Sequence, residues 1–323
     1  MKAIVQDEYG SSEVLRIEEI DKPVANDDEV LVRVQAASVH PGDWLLMTGR
    51  PLLFRPGFGL RKPRKRVPGF DFAGTVEAVG ENAKEFQPGD EVFGEAANGS
   101  CAEYVSVSEE KVTLKPANLT LQQAAVLPVS GVTALRGLRD AAKVQPGQHV
   151  LINGASGGVG TFAVQIAKAL GAEVTGVCST RNVEMVRSIG ADHVIDYTQD
   201  DFTKGGERFD VILDNVANHS LADCRRALTA EGILLTNNGT SGSRWVGPLG
   251  RMAAAALLSP FVRKQGPPFY APVRKRDLID LNELIEAGKI TPVIDRTYPL
   301  SEAAEAMKHV GEGHARGKVA ITV

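Results

Sequence analysis

Cysteine is scarce in this chain of 323 residues, which contains three. Cys101, Cys178 and Cys224 lie far apart, with no CxxC pair and no histidine at metal-ligand spacing. The sequence therefore encodes neither a disulfide framework nor a structural zinc lobe. We expect all three thiols to be buried, because a free cysteine behaves as a small apolar side chain.

Long apolar runs and strong net charge are also lacking. No segment reaches transmembrane length without a charge, and the N-terminal residues carry charges where a signal peptide would be apolar. The formal net charge of −4 gives no electrostatic reason to bind nucleic acid or an anionic membrane. We expect a cytoplasmic protein of roughly two domains, since a domain has about 150 residues.

The spacing of predicted strands changes along the chain. Up to about residue 125, short β-branched runs are cut by glycine and proline, which predicts a mostly antiparallel β domain. Strand-like and helix-length segments then alternate, which predicts a parallel sheet with crossover helices. After about residue 272 a helix pattern leads to "GKVAITV", a predicted closing strand that could rejoin the β domain.

A glycine-rich turn, "INGASGGVG", lies near the middle of the chain, between a predicted strand and a predicted helix. In this context Gly157, Gly158 and Gly160 let the backbone turn sharply, approach a pyrophosphate and pack the helix on the strand. The helix N-terminus would offer free N–H groups to the phosphates. Ala155 replaces the first glycine of the G-x-G-x-x-G pattern, so a turn that binds nothing is the alternative.

The end of the next predicted strand indicates which dinucleotide binds. A free ribose 2′-hydroxyl calls for a carboxylate about 20 residues after the turn. Ser179, Thr180 and Arg181 stand there instead. Hydroxyls and a guanidinium suit a 2′-phosphate, so the sequence favours NADP over NAD. A solvated surface arginine is the alternative for Arg181.

Eight segments in order resemble the medium-chain dehydrogenase/reductase superfamily, and within it the zinc-independent quinone oxidoreductase branch. They are "MKAIVQDEYGSSEVLRIEEIDKP", "ASVHPGDWLLMTG", "VPGFDFAGTVEAVG", "PGDEVFG", "AAVLPVSGVTAL", "GASGGVG", "GADHVIDY" and "LSEAAEAMKHVGEGHARGKVAITV". The resemblance implies an α/β fold with a GroES-like catalytic domain of residues 1–125 and 266–323 and a Rossmann NADP-binding domain of residues 126–265.

The resemblance also implies a set of cofactor contacts. In chain order they are Thr133, Gly157, Gly158, Val159, Gly160, Ser179, Thr180, Arg181, Tyr197, Asn215, Val216, Gly239 and Lys318. The glycine turn would hold the pyrophosphate, the next strand end and Tyr197 the adenosine phosphate, and Thr133 the nicotinamide end. Tyr197 as a core residue and Lys318 as a surface charge on an edge strand are the alternatives.

No metal site is expected, because zinc-dependent relatives have cysteine where this chain has His40 and a His-Glu pair where it has Phe70 and Asp71. His40 also differs from the quinone oxidoreductase branch, which has asparagine there. As a tentative catalytic residue, His40 could hydrogen-bond the nicotinamide or a substrate carbonyl, or donate a proton. Its alternative is to hold its own loop, which Asp43 is expected to brace.

Two segments are longer than a minimal member of the superfamily needs. Residues 50–69 carry a run of basic residues, which predicts a solvated loop, with a lid or an anion-steering role as the alternative. Residues 244–273 contain an apolar stretch, which we expect to form a cleft wall and a homodimer contact.

The predicted activity is hydride transfer from NADPH to a quinone or an α,β-unsaturated carbonyl. An NADP-dependent alcohol or aldehyde oxidoreductase is the alternative within enzymes. A redox-sensing or structural protein that binds NADPH without turnover is the alternative of another class, because fold alone does not fix function.

Overall fold

The computed structural model describes residues 1–96, 99–237 and 272–323. The chain forms two compact units. Unit 1 comprises Met1–Val132, Pro272–Ala287 and Pro292–Val323, and unit 2 comprises Thr133–Ala271 with Gly288–Thr291. The division lies a few residues beyond the expected boundaries at 125 and 266, and it transfers the short segment 288–291 to unit 2.

Unit 1 is built on β-strands that alternate buried and exposed side chains. Its strands are β1 (Lys2–Val5), β2 (Arg16–Glu19), β3 (Glu29–Val39), β4 (Asp71–Val79), β5 (Glu91–Glu95), β6 (Tyr104–Ser108), β7 (Val112–Leu114), β13 (Ile294–Pro299) and β14 (Lys318–Thr322). In β3, for example, Val32 and Val34 are buried while Arg33 and Gln35 are exposed, the two-residue period of a strand with one core face.

The main sheet of unit 1 has the strand order β13-β14-β3-β4-β5-β7, with β6 also paired to β3, and β1 and β2 form a separate ribbon. All these pairs are antiparallel except β13 with β14. The predicted mostly antiparallel β domain is therefore confirmed. The chain's last strand lies against β3, so the tail does rejoin the β domain.

Helices cover these sheets and connect the strands of unit 2. They are α1 (Pro41–Thr48), α2 (Arg55–Phe58), α3 (Leu121–Ala125), α4 (Pro128–Leu135), α5 (Gly158–Ala169), α6 (Val183–Ser188), α7 (Leu221–Arg226), α8 (Lys275–Glu286) and α9 (Ala303–Gly311). Among the described residues, no helix combines the length and the apolar character needed to cross a membrane.

The described strands of unit 2 form one parallel sheet. They are β8 (His149–Asn153), β9 (Glu173–Cys178), β10 (His193–Asp196), β11 (Phe209–Asp214) and β12 (Leu228–Thr236), in the order β10-β9-β8-β11-β12. This is the doubly wound order in which the first strand is central. The direction of winding reverses between β8 and β11, and ligands of such sheets bind at that reversal, outside the carboxyl ends of the strands.

The three cysteines are buried free thiols, as predicted. Burial raises the pKa of Cys101, and it raises the pKa of Cys178 to about 11. Both side chains are therefore neutral thiols at physiological pH and act as core packing groups rather than nucleophiles.

A buried carboxylate joins separate parts of the chain inside unit 1. Asp71, at the start of β4, is fully buried and accepts hydrogen bonds from Ser38 Oγ at 2.9 Å and from the Val129 N–H at 3.0 Å. Lys318 Nζ, at the start of β14, lies 3.2 Å from the same carboxylate. The cation offsets the cost of burying the negative charge, so each member of the pair depends on the other.

The substitution Lys318→Met should lower the free energy of unfolding by about 3–5 kcal/mol, because it leaves the Asp71 charge buried without its cation. Urea unfolding measures this change. Adding Asp71→Asn should recover part of the loss, since the double variant buries no unpaired charge. Lys308→Met, at an exposed position of α9, is the matched control and should change stability by less than about 0.5 kcal/mol. If the Lys318→Met and Lys308→Met variants were equally stable, the buried ion pair would not contribute to stability as assigned.

Candidate functional site

The glycine-rich turn of unit 2 runs from the end of β8 into α5. Gly154 has a φ of +81°, a left-handed conformation that favours glycine. Gly157 is the N-cap of α5 and offers no side-chain acceptor, so the backbone N–H groups of the first turn, which contains Gly158 and Val159, have no capping side chain. Free N–H groups at the positive end of a helix dipole are suited to receive an anion such as a pyrophosphate, and the binding of one here stays a prediction.

Two glycines of this turn serve different purposes. A Cβ atom at Gly160 would lie 2.0 Å from the carbonyl oxygen of Gly154, so packing within the protein requires a glycine there. A Cβ atom at Gly157 would meet only the same oxygen, at 3.5 Å, which is an ordinary van der Waals contact. The protein's own packing would accept a side chain at Gly157, and its absence leaves the surface of the turn open for the close approach of a ligand.

The segment after β9 is tied to the glycine-rich turn by Asn182, which the sequence analysis missed. Asn182 Nδ2 donates to Ser156 Oγ at 3.0 Å and to Ser179 Oγ at 3.2 Å. Because Ser179 Oγ accepts this bond, its own proton is left to donate elsewhere. Asn182 is 5% exposed, and its Oδ1 has no hydrogen-bond partner among the described residues. Its place directly after Arg181 was the only cue in the sequence.

The Thr180 hydroxyl, predicted to face a phosphate, already has an acceptor. Thr180 Oγ1 donates to Asp196 Oδ2 at 2.5 Å, and this bond holds the pKa of the Asp196 carboxyl below its usual value. Tyr197, directly after Asp196, is 57% exposed, so the alternative that it packs in the core is wrong. Arg181 is exposed as well. The roles of Thr180, Arg181 and Tyr197 toward the cofactor stay predictions.

A network of amides and a carboxylate lies where the winding of the sheet reverses. Asn153 Nδ2, at the end of β8, donates to Asp214 Oδ1 at 2.8 Å, and the Val216 N–H donates to the same oxygen at 3.2 Å. Asn215 Nδ2 donates to the Asn153 carbonyl at 3.2 Å, and Asn237 Nδ2 donates to Asn215 Oδ1 at 3.0 Å. The Asn215 side chain thus shapes the strand ends, while Val216 is 39% exposed beside them.

His40, in unit 1, is held by its own helix terminus. It is the N-cap of α1: His40 Nδ1 accepts the Gly42 N–H at 3.0 Å, and Asp43 Oδ2 accepts the His40 N–H at 2.8 Å. Asp43 therefore braces the loop as expected. With Nδ1 used as an acceptor, the neutral imidazole carries its proton on Nε2. That nitrogen is buried and has no hydrogen-bond partner among the described residues.

The residues at the zinc positions of metal-dependent relatives are engaged with one another or with the backbone. The His40 ring stacks on Phe70, with centroids 5.4 Å apart, and the Asp71 carboxylate is bound to Lys318. Among the residues that the structure describes, no group of three His, Cys, Asp or Glu side chains could hold a metal. Lys318 is 2% exposed, so the alternative that it is a surface charge is wrong. Its approach to the cofactor stays a prediction.

The remaining predicted residues lie in α4, in the basic loop and outside the described part of the chain. Thr133 lies half-buried in α4. Gly239 and residues 244–271 of the apolar segment lie outside the described residues. The cations of the basic loop are exposed, as expected of a solvated segment; they are Arg61, Lys62, Arg64, Lys65 and Arg66.

Comparison with known proteins places these features in one family. Residues 26–135 match the family described as "Alcohol dehydrogenase GroES-like domain", and residues 189–321 match the "Zinc-binding dehydrogenase" family. The mitochondrial NAD(P)H oxidoreductase RTN4IP1 of Mus musculus is 38% identical over an alignment that covers 100% of this chain and 89% of that protein. The chain belongs to the medium-chain dehydrogenase/reductase superfamily.

Two further relatives specify the branch of the superfamily. The chloroplastic NADPH-dependent alkenal/one oxidoreductase of Arabidopsis thaliana is 33% identical, and the alignment covers 99% of this chain and 79% of that protein. The structure of the quinone oxidoreductase from Coxiella burnetii superposes with a TM-score of 0.85 at 29% identity, covering 100% of this chain and 99% of that one. The predicted superfamily, its quinone oxidoreductase branch and the fold class are confirmed.

Within this superfamily member, Gly157→Asp should separate stability from cofactor binding. Aspartate is a good N-cap, so the melting temperature should stay the same or rise, while its charge should weaken NADPH binding by about 100-fold. Gly160→Ala should instead lower the free energy of unfolding by about 1–3 kcal/mol, because its Cβ meets backbone atoms.

Fluorescence titration with NADPH and thermal unfolding measure the two effects. Gly206→Asp is the matched control, because Gly206 is exposed and a Cβ atom there would have no atom within 4 Å. An unchanged NADPH affinity of the Gly157→Asp variant would show that α5 does not receive the pyrophosphate.

Proposed function

We propose that this protein is a zinc-independent, NADPH-dependent oxidoreductase that reduces quinones or α,β-unsaturated carbonyl compounds. The observation that carries the proposal is the glycine-rich turn after β8, the central strand of the doubly wound sheet. A side chain at Gly157 would fit the protein's own packing, yet the sequence has glycine there, which leaves room for a ligand. Supporting it, relatives that match nearly the whole chain are named as NAD(P)H and alkenal/one oxidoreductases. NADPH, when bound, supplies the hydride.

The residues of unit 2 would hold the cofactor by its phosphates. The backbone N–H groups of the first turn of α5 would receive the pyrophosphate. Ser179, Thr180 and Arg181 would bind the 2′-phosphate. Of these, the Thr180 hydroxyl donates to Asp196 Oδ2 in this structure and would exchange that acceptor for the phosphate. The amide network around Asp214 fixes the strand ends at which the ribose would lie.

His40 would act on the acceptor as a hydrogen-bond donor. Its Nδ1 is occupied by the Gly42 N–H, which directs the proton to Nε2. A buried N–H without a partner is suited to a carbonyl oxygen that gains negative charge as the hydride arrives. Because His40 caps α1 and stacks on Phe70, its ring is already oriented before the acceptor binds.

The reaction we propose needs no Lewis acid. Metal-dependent relatives polarise the substrate oxygen through zinc. Here His40 Nδ1 accepts the Gly42 N–H, and the Asp71 carboxylate is bound by Lys318 and by Ser38. The hydrogen bond from His40 would replace the metal as the group that polarises the acceptor.

The cytoplasmic location, the homodimer and the absence of membrane or nucleic-acid partners belong to the same proposal. The net charge of −4 supports the absence of a polyanionic partner. Two of the relatives carry mitochondrial and chloroplastic names, and those locations are theirs.

Activity assays should distinguish the three candidate functions. Chelator-treated protein should oxidise NADPH in preference to NADH with a quinone or an enone, and it should leave a saturated aldehyde unreduced. Turnover of the aldehyde alone, or loss of activity with the chelator, would favour the alcohol or aldehyde oxidoreductase. NADPH binding without turnover of any acceptor would favour the sensing or structural protein.

The substitution His40→Ser should lower kcat/KM by about 100-fold, because one donor to the developing oxyanion is lost. Serine is a good N-cap, so α1 should keep its stability, and NADPH affinity should not change. Steady-state kinetics, thermal unfolding and NADPH titration measure the three quantities. Full activity of the variant would reduce His40 to a capping residue.

A further inference from the structure

Asn182 is a buried amide that donates hydrogen bonds to two serine hydroxyls of unit 2. Its Nδ2 atom lies 3.0 Å from Ser156 Oγ, in the glycine-rich turn, and 3.2 Å from Ser179 Oγ, directly after β9. An amide nitrogen carries two protons, so these two bonds use its whole donor capacity. The bond to Ser156 thereby fixes the rotation of the amide, and the second N–H is aimed at Ser179.

The position of Asn182 is fixed by further contacts within unit 2. Its backbone N–H donates to the Ser179 carbonyl at 2.8 Å, and the residue is the N-cap of α6. Asn182 is 5% exposed, so water does not compete for the hydrogen bonds of its side chain. The amide is therefore oriented before any ligand binds.

This amide determines where the Ser179 hydroxyl can direct its own proton. A hydroxyl group has one proton, and Ser179 donates it to no other described residue. Because the oxygen already accepts a proton from Asn182, the hydroxyl proton points away from Asn182. Ser179 is half-buried, whereas Asn182 is buried. The protein thus holds Ser179 as a donor whose acceptor is not supplied by the part of the chain that the structure describes.

A hydroxyl held as a donor discriminates between the two dinucleotides. A phosphate oxygen that carries charge accepts a hydrogen bond about twice as strong as a bond between neutral groups. The ribose 2′-hydroxyl of NAD is neutral, so it gains less from the same donor. Fixing Ser179 as a donor therefore favours NADP over NAD.

We propose that Asn182 is a positioning residue that sets the preference for NADP, because its amide directs the Ser179 hydroxyl proton toward the 2′-phosphate. Asn182 acts through Ser179 and does not itself contact the cofactor. The inference rests on the proposed function for the identity of the cofactor, and on the hydrogen bonds of Asn182 for the origin of the preference.

Binding of two adenosine nucleotides tests this role without turnover. The nucleotides 2′,5′-ADP and 5′-AMP differ by the 2′-phosphate alone, and isothermal titration gives the ratio of their dissociation constants. We expect the wild-type protein to bind 2′,5′-ADP at least about 10-fold more tightly. Asn182→Leu keeps the number of side-chain atoms and removes the donor, so the ratio should fall by about fivefold.

A loss of local structure would give a different result. Loosening of the segment after β9 alone would weaken both nucleotides equally and leave their ratio unchanged. Asn82→Leu, at an exposed position of unit 1, is the matched control and should keep the wild-type ratio. An Asn182→Leu protein that folds, as judged by its melting temperature, and keeps the wild-type ratio would overturn the proposal.

The variant Asn182→Asp should reverse the preference. Its carboxylate would accept the Ser179 proton and repel the 2′-phosphate, so 5′-AMP should bind at least as tightly as 2′,5′-ADP. A folded Asn182→Asp protein that still prefers 2′,5′-ADP as the wild type does would contradict the proposed role.

A double-mutant cycle determines whether Asn182 acts through Ser179. In a Ser179→Ala background, Asn182→Leu should change the ratio by less than about twofold, because the hydroxyl that Asn182 orients is gone. If the full effect of Asn182→Leu persisted in that background, Asn182 would act by another route and the positioning role would be wrong.

Assays with a quinone and an enone separate this inference from the proposed function. If neither acceptor is reduced but the nucleotide ratio falls in Asn182→Leu, the role of Asn182 stands and the proposed reaction fails. If NADPH reduces an acceptor but the ratio is unchanged in Asn182→Leu, the reaction stands and the positioning role fails. Equal binding of the two nucleotides by the wild-type protein would overturn the inference, because no preference would exist for Asn182 to set.

Discussion

The burial of the Asp71 carboxylate constrains much of unit 1. Its charge is tolerated because Ser38, Val129 and Lys318 bind it, and these residues come from β3, from α4 and from the chain's last strand. Asp71 directly follows Phe70, whose ring stacks on His40. The ion pair between Asp71 and Lys318 therefore also helps to position the ring that packs against the candidate donor. The three groups that stabilise Asp71 therefore also contribute, through the neighbouring Phe70, to the packing around His40.

In the proposed function, unit 2 binds an anion although the protein as a whole is mildly acidic. It does so locally, through the unpaired N–H groups at the start of α5 rather than through a general positive field. The carboxylates at the neighbouring strand ends are held in place by hydrogen bonds: Asp214 accepts from Asn153, and Asp196 accepts from the Thr180 hydroxyl. In this proposal, backbone geometry would provide the affinity for phosphate, while side-chain amides organise the strand ends beside it.

Periodic patterns predicted most of the fold, and the remainder depends on contacts between distant residues. The alternation of strands and helices after residue 125 and the glycine-rich turn are local signals, and the parallel sheet and α5 follow them. No local signal indicates that Lys318 is buried against Asp71, since the partners are 247 residues apart. Asn182 was missed because an isolated amide shows no pattern until the fold reveals its partners and which of its atoms is unpaired.

The position of β14 has a consequence for the protein as it leaves the ribosome. Residues 36–39 of β3 pair with residues 319–322, the final strand of the chain, while all the segments of unit 2 have been synthesised by Thr291. Until residues 318–322 have been made, then, the edge of β3 at residues 36–39 is open and Asp71 lacks its cation. An open strand edge invites pairing with other chains. The β domain therefore completes its sheet only after all of unit 2 has been synthesised, and until then it is exposed to pairing with other chains.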